Sequence, residues 1–472
     1  AMHPFPPIAP HNLPKLRPPN FSLLSHHLYQ SVAPPEQSHR RIDAGDAPPN
    51  SAKLAVALLL NCRSLSELDR LYARFIRTRL LESYRHPFYW NSIARSYSRL
   101  GAPRRALRIY VAMLRAGTSP DSHSLSCVMK TICGEAEIEM GLQIHPMATK
   151  LGLGTHDYVE SGIIRLYSQA GRFGDARRVF DENPGRNLAA WNALIGGLSQ
   201  GQRAAEAVSM FTEMMRSGFL PNNVTLVCVM PACGSLGDLG LALQLHKCAL
   251  QSPTSPDSTV LTWDSALDMY GKCGRMDLAR ELFSRMRQRS QSAWTSMIVG
   301  HAQQGDAEAA LGVFWAMRRA GAWPTRLTFV GVLSACARGG LLREGQRCLA
   351  MMREAYGIAP DLHHYGCVVD LLARAGRLGE ARAVVEGMPM RADGVIWRSL
   401  LGACERQGDV GTGEWAAGHL AEVEPLDMGV FVVLSNIYAS NGMWEEVDRV
   451  RRIMKEKKIP QVPGLSFTTA PC

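Results

Sequence analysis

Apolar positions along this chain fall at helical spacing, in a pattern that returns about every hundred residues. Near Pro87, Leu188 and Gln291 the strings FYWNSIARSYSRLG, AAWNALIGGLSQGQ and SAWTSMIVGHAQQG each open an aromatic, polar, apolar helix signal. In the stretch from Leu188, the residues Trp191, Leu194 and Leu198 mark one helix face. A turn at Gly201 and Gln202 follows, and Ala207, Phe211 and Met214 mark a second stripe. Two short amphipathic helices cannot cover each other's stripes alone, so each unit needs a neighbour.

Each long period divides again, into units of 35, 35 and 31 residues in the first set: Pro87 to Asp121, Ser122 to His156 and Asp157 to Asn187. The later sets keep this within a residue or two: Leu188 to Asn222, Asn223 to Thr259, Val260 to Ser290, then Gln291 to Thr325, Arg326 to Asp361, Leu362 to Asp393. Every unit reads as a helix pair. A chain of 472 residues would ordinarily hold about three domains, but stacked repeats share one continuous core. The expected fold is therefore all-α, a right-handed superhelical solenoid of helix-turn-helix repeats over about residues 51–461, with its function spread along an extended surface.

Composition refines this picture. With 46% hydrophobic and 20% charged residues, helix faces can be buried throughout, and the longest apolar run, LAVALLL from Leu54, is too short to span a bilayer. A formal charge of +10 suits a polyanionic partner and serves solubility equally well. Residues 1–50 differ from the rest: proline bursts (HPFPPIAP, RPPN, APPEQ, DAPPN), no acid before Glu36 and no helical period. They read as an organelle transit peptide, against which stands the scarcity of arginine, or as a merely disordered leader. The 12 cysteines contain no Cys-x-x-Cys pair, and several, such as Cys336 and Cys404, take the small-residue slot of a helix. Buried free thiols, a reducing compartment, no metal and no cofactor are the expectation.

Motifs for catalysis give little. Gly197-Leu198-Ser199-Gln200-Gly201 fits G-x-S-x-G, but a nucleophile elbow needs a strand entering the turn, and this serine ends a helix. No H-x-E followed by P-C-x-x-C, no H-E-x-x-H and no P-loop occurs. His363 and His364 point to different helix faces and read as structural or surface groups. No catalytic residue is expected.

The 35-residue unit with Asn or Thr at its fifth position, the A-x-x-x-F-x-x-M second helix and closing strings such as GTSPD and GFLPN resemble pentatricopeptide repeats. The 35/35/31 alternation resembles the plant P-L-S subclass. HYGCVVDLLARAGRLGEARAVVEGMPMRADGVIWRSLLGAC and VFVVLSNIYASNGMWEEVDRVRRIMKEKKIPQVPGLSF resemble its last S repeat and two-part E extension. On this reading residues 51–86 form a degenerate helical repeat, 87–393 three P-L-S triplets, 394–461 the E extension and 462–472 a tail.

What the resemblance implies is sequence-specific binding of single-stranded RNA, one base per repeat, read by the fifth and last residues. Exposed bases can be sandwiched by side chains and read on their Watson-Crick edges. Carried over, Asn91 with Asp121 implies uracil, Ser161 with Asn187 adenine, and Asn192 with Asn222 a pyrimidine. Asp264 with Ser290 and Thr295 with Thr325 are not standard pairs, and Gly366 with Asp393 lacks a fifth-position side chain. The L repeats end in His156, Thr259 and Asp361 after apolar or small fifth residues. Phe88, Tyr158, Ala189, Leu261, Ser292 and His363 match the sandwiching second position. Asn and Asp at these places could equally serve as helix caps.

The resemblance further implies an organellar factor, mitochondrial or chloroplastic, that recognises C-to-U editing sites with a DYW-type deaminase recruited in trans through the E extension. Intron splicing or transcript stabilisation is the alternative, and a protein-binding helical scaffold the second class, though such scaffolds repeat uniformly at about 34 residues. The extension keeps its apolar stripe (Trp397, Leu400, Leu401; Val432, Leu434, Ile437, Tyr438) but ends in Asp427 and Gln461 without a reading pair. Its last helix carries Arg449, Arg451, Arg452, Lys455, Lys457 and Lys458, as a docking surface or a solvated terminal cap would.

Overall fold

A computed structural model of the chain describes residues 58–456, apart from residue 60 and the stretches 79–80, 82–85, 133–134, 252–255 and 425–428. The leader over 1–50, the tail over 462–472, and Asp427, Lys457, Lys458 and Gln461 lie outside the described residues. Every regular element among those described is an α-helix, and none is long and apolar enough to cross a membrane. The chain divides into two compact units at Gly197 and Leu198, each an all-α repeat solenoid.

The expected helix starts are met: Pro87–Arg99, Leu188–Gln200 and Gln291–Gln303 open on the three marked residues. In the first unit Pro87–Arg99 pairs with Pro103–Arg115, and Asp157–Gln169 with Phe173–Glu182. Proline at the first helical position suits both Pro87 and Pro103, since its missing N–H would have no intrahelical partner there. The core runs from Leu68 and Ile93 through Leu125 and Ile163 to Phe180 and Trp191, all fully buried or nearly so. Phe180 and Trp191 meet edge to face at 4.6 Å, tying one repeat to the next.

In the second unit the first helices stack in succession: Asn223–Leu236, Pro256–Lys272, Gln291–Gln303, Arg326–Gly339, Leu362–Arg374, Gly394–Gln407 and Gly429–Ser440. A single buried cluster extends from Trp294 through Phe314, Phe329, Leu371 and Leu400 to Ile437. This continuity is what stacked repeats require, because each stripe is covered by its neighbour. Where Pro256–Lys272 meets Gln291–Gln303 the backbones come close: a Cβ on Gly271 would lie 3.4 Å from the Gly300 Cα. Two glycines permit that approach.

The turn inside each helix pair needs a left-handed residue. Gly101 and Gly305 supply it at φ +76° and +77°, but at the equivalent place in the middle triplet stands Gln202, at φ 59°. A side chain in this region costs roughly 1–2 kcal/mol relative to glycine.

Two boundaries differ from the sequence reading. The repeat break between Thr259 and Val260 falls inside a helix, because Pro256 already opens Pro256–Lys272. The second helix of the first L repeat is split into Glu135–Leu142 and Ile144–Lys150. Pro146 explains the split: its ring opposes the carbonyl four residues back, that of Leu142, where the first piece stops.

Candidate nucleic-acid interface

Within a repeat, the fifth residue lies in the second turn of the first helix, and the last residue, Thr259 apart, stands at the N-cap of the following helix. Successive first helices pack side by side, so the two positions meet. In the first P repeat the Asn91 amide Nδ2 donates to Asp121 Oδ1 over 3.1 Å. Asp121 caps Ser122–Thr131 and also accepts from the Ser124 main-chain N–H at 2.7 Å and the Ser124 hydroxyl at 2.8 Å. Burial works to raise the Asp121 pKa, but these three donors outweigh it and hold the carboxyl below its ordinary value.

The same juxtaposition recurs in the second unit with other chemistry. Ser290 Oγ donates to Asp264 Oδ2 at 2.6 Å and caps Gln291–Gln303 by accepting from Ala293 N. Asp264 is 7% exposed, and its other oxygen, Oδ1, is buried with no partner. Burial pushes its pKa up to about 6, against the Ser290 hydrogen bond that lowers it. Thr295 and Thr325 are joined through Thr328, whose hydroxyl stands 2.7 Å from Thr295 Oγ1 and 3.0 Å from Thr325 Oγ1. Thr328 was not legible as part of the site, although T-x-x-T from Thr325 is a capping-box signal.

Ser161 and Asn187 are turned to other partners than each other. Ser161 turns back on its own helix, donating to Asp157 O at 2.9 Å. Asn187 accepts from Ala190 N through its side-chain oxygen, and its amide nitrogen is buried without a partner. Asn192 is buried in the first unit; Asn222 caps Asn223–Leu236 in the second, accepting from the N–H and hydroxyl of Thr225. Gly366 faces Ile396 Cγ1 at 3.6 Å from an ideal Cβ, and Asp393 caps Gly394–Gln407.

Second-position residues are open to solvent where they are aromatic: Phe88 is 47% and Tyr158 43% exposed. Ala189, Ser292 and His363 are also exposed, and Leu261 is half-buried. The neighbouring His364 has a different task. It is fully buried, with Nδ1 2.6 Å from Asp361 Oδ1 and Nε2 3.0 Å from the Arg326 carbonyl, so it fastens two repeats together.

Cysteines and acids do not assemble into another centre. The described cysteines are all free thiols, and burial pushes the Cys228 and Cys336 thiols up to about 12. Among the described residues no group of three or more His, Cys, Asp and Glu could hold a metal ion. Ser199 lies in the last turn of Leu188–Gln200, away from any strand.

Family models match the chain along most of these repeats: "PPR repeat" at residues 88–118, 161–182, 261–290 and 292–321, "PPR repeat family" at 186–235, and "E motif" at 407–469. The Arabidopsis thaliana pentatricopeptide repeat-containing protein At1g77170, mitochondrial, is 48% identical over 423 residues, covering 90% of this chain and 91% of that protein. A second Arabidopsis thaliana relative, At1g08070, chloroplastic, is 37% identical over 75% of this chain but only 48% of its own length. Among solved structures, the pentatricopeptide repeat protein PPR10 in complex with an 18-nt psaJ RNA element matches with a TM-score of 0.58 at 18% identity, over 83% of this chain and 64% of that one.

Proposed function

The chain belongs to the pentatricopeptide repeat family, and from that premise we propose that it is a sequence-specific single-stranded RNA-binding factor of an organelle, acting in C-to-U site recognition with the deaminase recruited in trans. The observation that carries the RNA reading is the recurring pair. Polar fifth and last residues stand together at Asn91 and Asp121, at Asp264 and Ser290, and at Thr295 and Thr325 through Thr328. Capping alone would account for the last residue of each pair, but not for a polar side chain buried at the fifth position beside it.

A base docked on such a pair meets directional donors and acceptors, and exposed Phe88 and Tyr158 offer stacking faces worth about 1–3 kcal/mol per base. On this reading Asn91 with Asp121 selects uracil, Ser161 with Asn187 adenine, and Asn192 with Asn222 a pyrimidine; Asp264, Ser290, Thr295, Thr325, Gly366 and Asp393 complete the tract. The fold shared with an RNA-bound protein supports the ligand class, and the names of the relatives support an organelle, the mitochondrion first. The E motif match supports editing. Residues 394–461 are assigned to docking: on the final helix pair Trp444 is 64%, Met443 38% and Val432 37% exposed, apolar side chains that a docked partner would cover.

Organellar transcript profiling of a null mutant, with complementation by the full chain and by a chain lacking residues 394–472, tests this. The expected result is loss of editing at discrete sites, restored by the full chain only. A mutant that edits every site normally and fails to splice an intron would replace the editing reading by splicing.

A further inference from the structure

The second unit contains a groove of about 330 Å³ lined by Met286, Arg287, Arg289, Trp294, Ala320 and Ala322. Arg289 is fixed there. Its guanidinium lies over the Phe283 ring at 4.6 Å and near Trp294 at 5.6 Å, and its Nε donates to the Phe283 carbonyl at 3.2 Å. That leaves the terminal nitrogens available, and neither Arg289 nor Arg287 forms an ion pair with any described residue.

The same position is differently surrounded in another repeat. In the first S repeat Arg186 occupies the equivalent place, over Phe180 at 4.7 Å with Nε on the Phe180 carbonyl at 3.0 Å. There, however, Asp181, which Arg177 also engages at 2.9 Å, stands 3.4 Å from the guanidinium and shares its charge with it. Ser284 stands where Asp181 would, so the stacked guanidinium of Arg289 keeps its charge uncompensated. Glu281, the nearest acid in sequence, is already engaged by Arg285.

We propose that Arg287 and Arg289 form a phosphodiester-binding site, holding the backbone of the bound single strand between two successive bases. This rests on the RNA reading above. The groove's place supports it: Arg289 adjoins Ser290, which bonds Asp264, and Trp294 adjoins Thr295 of the next pair. Along the chain the groove is thus one residue from both pairs. A stacked, oriented guanidinium suits a phosphate, presenting two N–H groups to two oxygens.

The test is RNA binding by the full chain as a function of salt, using a single-stranded oligonucleotide selected by the wild type. Each lost phosphate contact lowers the slope of log affinity against log salt by about 0.7 for a single strand. Arg287→Gln with Arg289→Gln should lower the slope by about that amount per contact and weaken all sequences alike. Ser284→Asp, which leaves both arginines in place but restores the missing acid, should do the same for Arg289, which guards against a folding artefact. Wild-type binding with an unchanged slope in both variants overturns the site and leaves the RNA reading standing. Absence of RNA binding by the wild type overturns that reading and the site with it.

Discussion

Asp264→Asn should make the protein more stable at neutral pH and much less so in acid. Asp264 is 7% exposed, with one oxygen on Ser290 and the other buried and unpartnered, and burial holds its pKa at about 6 instead of 3.8. A folded-state pKa above the unfolded value means that the native protein holds the proton longer as pH rises. Stability contributed by the neutral carboxyl is therefore present below about pH 4 and lost progressively as pH climbs through 6. The difference corresponds to a penalty of about 3 kcal/mol at pH 7.5 and about 1 kcal/mol at pH 4.5. Asparagine removes the titration, keeps an acceptor for the Ser290 hydroxyl, and leaves one orphaned amide group where one orphaned oxygen stood. Urea denaturation of both proteins at the two pH values should show gains of about 3 and about 1 kcal/mol. An equal gain at both, or none at pH 7.5, would refute the assignment of a strained carboxylate.

Three further outcomes follow from particular contacts. Asp121→Ala should cost about 1 kcal/mol in denaturant melts through loss of the N-cap, whereas Asp121→Asn should keep the cap and change only the base preferred at that repeat. Gln202→Gly should raise stability by up to about 1 kcal/mol, the relief of the left-handed residue less the roughly 0.5–1 kcal/mol of extra backbone entropy that glycine loses on folding, and a loss in the same melt would contradict this. Gly300→Val should destabilise by about 1–3 kcal/mol, because its Cβ would fall 2.5 Å from Met276 Sδ and 3.1 Å from Cε with Gly271 backbone behind; an unchanged midpoint would show that the helices can part.

The helix pairs were legible because their stripes are long and strictly periodic, and the starts at Pro87, Leu188 and Gln291 were fixed by the aromatic signal itself. Boundaries near proline were not. Pro256 begins a helix before the repeat register does, and Pro146 breaks one that the apolar pattern would have continued. In the site, the residue types at the fifth and last positions were readable, but their geometry was not. Whether Ser161 reaches Asn187 depends on a hydroxyl choosing between a neighbour and its own helix carbonyl, a choice with no sequence signature. The part of Thr328 depends on contacts across repeats, and the missing acid beside Arg289 is hinted at only by the paired positions Asp181 and Ser284.

The central claim, that these repeats read a single strand base by base, is tested most directly by selecting bound sequences from a random single-stranded RNA library with the full chain and with Asn91→Ala combined with Asp121→Ala. The account predicts one linear motif for the wild type, with uracil at the position facing the first P repeat, and loss of preference at that position alone in the variant. Enrichment of no motif, or a motif that the variant leaves unchanged at every base, would contradict it.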